Sequence, residues 1–216
     1  MVDLSLDGYR KEWPRIGAVL GMAVVGATAL GGDRLGRRRQ LAALNFAALL
    51  VHQFEEYVEP GWFPGQLNKG MFRSESPRNY PLNANTAMVI NTVIAYPAYI
   101  APIAFPRPKA LGLGPVLFGM SQAVAHGILF PVRAGDRYSP GFLTAAMLHV
   151  PIGVAYIRAL RREDGGTSRR DLAAGLGLAL MLAAVAVIGP NSLGRDRASR
   201  HAFTRKQMGR YEGPEG

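Results

Sequence analysis

The chain has 216 residues, is 49% hydrophobic and carries a formal charge of +10. It contains no Cys, which excludes disulfides and thiolate ligands and leaves imidazole and oxygen to hold any metal. Its basic residues gather in short stretches at 34–39, 158–170 and 195–210, a placement that suits anionic membrane headgroups and argues against nucleic acid as a partner.

The mean hydropathy of +0.07 averages very apolar blocks against these basic connectors. Six blocks stand out, at 16–32, 41–58, 82–105, 111–132, 142–158 and 172–190. Each is roughly as long as a helix needs to be to cross about 30 Å of hydrocarbon. No charge interrupts the first or the last of them, as it would in a soluble bundle. The expected fold class is therefore all-α, a polytopic transmembrane helix bundle of about six spans.

Residues 1–15 read as an interfacial segment with Trp13 and Pro14 at the membrane boundary. Helix 16–32 is rich in Gly and Ala, including Gly17, Gly21 and Gly26, and reads as a retained packing helix rather than a cleaved signal. Helix 41–58 ends in His52, Glu55 and Glu56, which share one face at 100° per residue, and Asn45 and Glu59 extend that stripe. The connector 61–81 holds Trp62, Phe63, Met71, Phe72 and Tyr80, and reads as an interfacial loop or a lid lying on the membrane surface. Helix 82–105 carries Asn83, Asn85 and Asn91, then Pro97 and Pro102. Helix 111–132 places Gln122 and His126 on one face, and helix 142–158 carries His149 just before Pro151. Helix 172–190 is bland, and the basic tail 191–216 is expected to be disordered. The transmembrane domain thus spans 16–190.

Depth links these polar positions. His52 lies six residues before the end of its helix, roughly 9 Å inside at 1.5 Å per residue. His126 lies at a similar depth, His149 is seven residues into its helix and Asn91 nine into its own. Under alternating topology all these ends emerge on one side, so four helices deliver His52, Glu55, Glu56, Asn91, His126 and His149 into a single layer. Lys and Arg divide nearly evenly between the two sides, so the positive-inside rule does not set the orientation.

The residues His52-Gln53-Phe54-Glu55-Glu56 resemble the motif of the HXXEE family of bacterial integral membrane proteins. His126 and the segment Tyr138-Ser139-Pro140-Gly141 also look like that family. The resemblance covers a core of about 41–156, with the first and last helices as flanking additions. It implies a shared site at His52, Glu55 and Glu56 and supplies no reaction.

Ionisable groups inside a membrane bundle are costly and point to function. The expectation is a cell-membrane, multi-pass enzyme that takes a lipidic or isoprenoid-like hydrophobic substrate from the surrounding lipid. His52, Glu56, His126 and His149 are the candidate ligands of a divalent metal such as Zn, Fe or Mn. Glu55 and Glu56 are the candidate acid and base, with Asn91 and Tyr138 orienting substrate. Two alternatives stay open: a metal-free acid–base isomerase or cyclase using a protonated Glu, and a proton-coupled transporter.

Overall fold

The apolar blocks fold as helices, and among the described residues of the computed structural model (5–163, 165–193 and 197–212) there is no strand. In chain order these are α1 (Leu6–Gly31), α2 (Arg37–Tyr57), α3 (63–71), α4 (Ala84–Ala104), α5 (Lys109–Ala134), α6 (Phe142–Glu163), α7 (Arg169–Leu193) and the short α8 (Arg205–Met208). Five of them, α1, α4, α5, α6 and α7, are long and apolar enough to cross a membrane.

The exception is α2, and its place in the bundle explains why. Its 21 residues reach roughly 32 Å, but Arg37–Arg39 at one end and Glu55–Glu56 at the other interrupt the apolar run. Fourteen of the 21 are buried, because α1, α4, α5 and α6 all pack against this helix. A helix enclosed by other helices keeps its polar groups off lipid, so α2 can carry what no lipid-facing helix could. On α1, the buried Gly17 and Gly21 face Leu50 of α2, in keeping with a packing helix. At the far side, α7 lies along α5 and reaches α4 with its C-terminal half.

Two expectations for the ends of the chain are corrected. From Leu6 onward the supposed interfacial segment is the first part of α1. Trp13 is buried edge-to-face on Tyr57, with ring centroids 5.1 Å apart. Arg10, paired with Asp7, donates from Nε to Asn85 Oδ1 at 2.9 Å, so the polar residues there are answered within the protein.

The tail, read as disordered, is folded over residues 197–212. Phe203 and Met208 are fully buried in the cluster that contains Tyr57, Phe63 and Leu67. Backbone bonds run from Phe203 N–H to Arg78 O and from Ala84 N–H to His201 O. A Thr204–Gln207 capping box starts α8, and Gln207 Nε2 donates to Tyr57 O at 3.2 Å. Two apolar anchors and a few backbone bonds suffice to dock a segment whose overall composition is polar.

Together, residues 58–83, 135–141 and 197–212 form a cap over one end of the bundle. The connector read as an interfacial loop or lid belongs to it, with Phe63 and Leu67 of α3 facing inward. Asn68 organises the rest, donating to Pro77 O and Leu82 O and accepting from Leu82 N–H. Phe203→Ala is expected to cost about 3–4 kcal/mol of stability, read as a drop in the thermal unfolding midpoint in detergent. A change within about 0.5 kcal/mol would show that the tail does not dock.

Candidate metal centre beneath the cap

Three of the four helices that deliver polar groups to the bundle interior share a local distortion, α2 being the regular one. Residues Val89–Ala95 of α4, Ala125–Leu129 of α5 and Ala145–His149 of α6 form π-helical turns. In each case a proline follows two residues later: Pro97, Pro131 and Pro151. Proline has no N–H to donate four residues back, and its ring presses on that carbonyl. The turn widens instead, and the residue before each proline donates five residues back: Tyr96 to Asn91, Phe130 to Ala125 and Val150 to Ala145. Such π turns are rare and favour functional sites. Asn91, His126 and His149 all sit in them.

His52, Glu56 and His126 come together, each buried, with one donor atom from each within 4.8 Å of the others. Glu56 Oε1 is 3.5 Å from His52 Nε2 and 3.3 Å from His126 Nε2. Ligands 2.0–2.1 Å from a tetrahedral Zn2+ stand roughly 3.3 Å apart, so both separations suit a shared ion. His126 Nε2 has no hydrogen-bond partner among the described residues, although it is buried. A buried nitrogen with no such partner, facing a carboxylate at that distance, makes a donor set that could hold a cation.

The far side of each imidazole is held. His52 Nδ1 lies 3.0 Å from Thr144 Oγ1, whose own proton goes to Glu55 Oε2 at 2.5 Å. The hydroxyl oxygen therefore accepts from His52 Nδ1–H, which leaves the Nε2 lone pair turned towards Glu56. His126 Nδ1 is 2.9 Å from Ser139 Oγ. Hydroxyl and carboxylate partners of this kind fix ring orientation in metal sites.

The two carboxylates of the motif have different surroundings. Glu55 accepts from Tyr138 Oη, Leu143 N–H, Thr144 N–H and Thr144 Oγ1. Those amides belong to the first turn of α6, where a carboxylate satisfies orphan donors and the helix dipole. Burial and the adjacent Glu55 carboxylate push the Tyr138 phenol well above its ordinary pKa. Tyr138 thus touches Glu55 rather than the imidazoles.

His149 is close but outside the group of three. Its ring centroid is 5.6 Å from that of His52, and Nδ1–H donates to Asn45 Oδ1 at 2.9 Å. Its Nε2 has no partner among the described residues. Asn91 accepts from Gln53 Nε2 and donates to Ala87 O, both at 2.9 Å. Asn83 caps α4.

Close approach at two glycines is part of this construction. A Cβ on Gly119 would lie 2.4 Å from His149 Nδ1. One on Gly141 would lie 2.8 Å from both His126 and His52, and Gly141 also has φ +107°, a conformation that favours glycine.

Beside His52, Glu56 and His126 lies a cavity of about 200 Å3 between α2, α4, α5 and α7. Sequence reasoning missed Ser139 and Thr144 as partners of the imidazoles, and α7 as a wall of the cavity. Ser139 lay within the Tyr138–Gly141 segment already singled out. Nothing in the composition of α7 marks Ala183, Ala186 and Val187, which contribute by being small.

Residues 43–156 match the family described as protein of unknown function with HXXEE motif. No curated protein and no solved structure matches the chain. The matched stretch covers more than half of the 216 residues and holds His52, Glu55, Glu56, His126 and His149, so the chain belongs to the HXXEE-motif family.

Proposed function

We propose that this is an integral membrane enzyme whose His52, Glu56 and His126 hold one divalent metal ion, with a hydrophobic substrate in the adjoining cavity. The observation that carries the reading is the convergence of two hydroxyl-backed imidazoles on one carboxylate oxygen, at 3.3 and 3.5 Å. Two His and one carboxylate with room for a further ligand are a set common to catalytic zinc and non-haem iron sites. A divalent ion bound there supplies Lewis-acid polarisation of a substrate oxygen.

The chain's own residues divide the remaining work. His52 and His126 present Nε2, while Thr144 and Ser139 keep each ring from turning. Glu56 supplies the carboxylate oxygen. Glu55, through Thr144 and Tyr138, positions the start of α6. Asn91, held by Gln53 and Ala87 O, lines the cavity beside Glu56 and offers a fixed dipole to a substrate group. The aromatic ring of Phe63, 4.8 Å from that of His126, keeps water from the cap side.

A second reading rests on the same 3.3 Å approach of His126 Nε2 to Glu56 Oε1. Without a metal, Glu56 and His126 would exchange a proton with substrate as acid and base.

Metal analysis of the purified protein separates the two. Wild type is expected to carry about one equivalent of Zn, Fe or Mn, and His126→Ala and Glu56→Gln to lose it. Glu55→Gln is expected to keep the ion while losing about 1–3 kcal/mol of stability through its unanswered donors. Folded wild type that neither retains nor takes up any of these metals would overturn the metal reading and leave acid–base chemistry.

The hydroxyls offer a finer check. Ser139→Ala and Thr144→Val are each expected to weaken zinc affinity about 10–100-fold in chelator competition. Unchanged affinity in both would show that these side chains do not act through the imidazoles.

A further inference from the structure

The walls of the cavity differ in kind. One end is polar, formed by His52, Glu56, Asn91 and His126. The remainder is mostly apolar, with Leu49, Ile90, Phe118 and Ala186 from four different helices. On the cap side Phe63, Leu67 and Leu82 close it, and all three are buried in the cluster that also holds Phe203 and Met208. On the outer surface of α5 the cavity is bordered by Ser121 and Leu129, and Leu129 is 44% exposed. The cap side is closed by buried side chains, while the α5 border carries exposed ones.

Charge narrows the occupant further. None of the described residues lining the cavity is Lys or Arg. A phosphate or diphosphate brought there would give up its hydration with no guanidinium or ammonium to replace it. The charges it would meet there are Glu56, of its own sign, and the single divalent ion proposed on it, together too little to answer a diphosphate.

We infer that the cavity takes an uncharged lipid, a long apolar chain ending in one small oxygen group such as a hydroxyl or carbonyl, received sideways from the bilayer past the face of α5 that carries Ser121 and Leu129. This rests on the enzyme reading above for its assignment as substrate, and on the cavity alone for its binding. The small side chains Ala183, Ala186 and Val187 make α7 a further wall and leave room for the end of the chain next to the oxygen, the rest of it lying outside the cavity. The oxygen group ends beside Glu56 and His126, well below headgroup level. Diphosphate-bearing isoprenoids are outside this class.

The test uses the full chain in phosphatidylcholine nanodiscs and two photoreactive probes. Both carry the same diazirine-bearing hexadecyl chain, one ending in a hydroxyl and the other in a monophosphate. The alcohol is expected to label peptides of α4, α5 or α7 about tenfold more than the phosphate, a difference of about 1.4 kcal/mol. Ala186→Phe, which fills the cavity, is expected to lower alcohol labelling about tenfold. Val187→Phe serves the same purpose if the first variant does not fold.

Equal or stronger labelling by the phosphate overturns the inference, and so does undiminished alcohol labelling in a folded cavity-filling variant. Metal content measured on the same samples keeps the two readings apart. Metal-free wild type that still prefers the alcohol removes the metal and leaves the lipid. Metal-loaded wild type labelled equally by both probes removes the lipid and leaves the metal.

Discussion

A carboxylate inside an apolar bundle has to be answered by donors or by cations, and α2 carries two of them in succession. Glu55 is answered completely by two amides and two hydroxyls at the start of α6. Glu56 is answered incompletely by two imidazoles that stand slightly too far away for good hydrogen bonds. The same residue type thus does two jobs one position apart. Glu55 ties α2 to α6 and sets the tautomer of His52 through Thr144. Glu56 is left facing the cavity, with the Nε2 atoms of His52 and His126 as its neighbours.

Bringing Asn91, His126 and His149 from three helices to the level of His52 and Glu56 needs more control than regular helices offer. Each proline that follows a π turn removes one donor and adds one residue to the preceding turn. The added residue changes the angle at which the rest of the helix presents its side chains. In α4, α5 and α6 the widened turns all lie at the level of the site. Gly119 and Gly141 complete the fit, because the imidazoles occupy the volume that a Cβ would need.

Much of this was legible in the sequence. His52, Glu55 and Glu56 stood out because charge at the end of an apolar helix is conspicuous. His126 and His149 were tied to them by depth, a count that survives small errors in helix bounds. Glu56 rather than Glu55 was singled out as a candidate ligand, but the part Glu55 plays was not legible, since it depends on its meeting the first turn of α6. Thr144 and Ser139 were hidden because hydroxyl residues are common in membrane helices and connectors. Trp13 and the segment 197–212 misled for a shared reason. Polar composition reports what surrounds a segment on average, whereas docking depends on one or two buried side chains such as Phe203. The burial of two thirds of α2 also followed from contacts that composition does not record.

The bond from Gln207 to the carbonyl of Tyr57 joins positions 150 residues apart. In a chain inserted helix by helix, α2, α5 and α6 meet long before residues 197–212 have been synthesised. During that interval Tyr57 and Phe63 lack the cover of Phe203 and Met208. The cap is thus the last part of the molecule to close, over imidazoles that the earlier helices have already brought together.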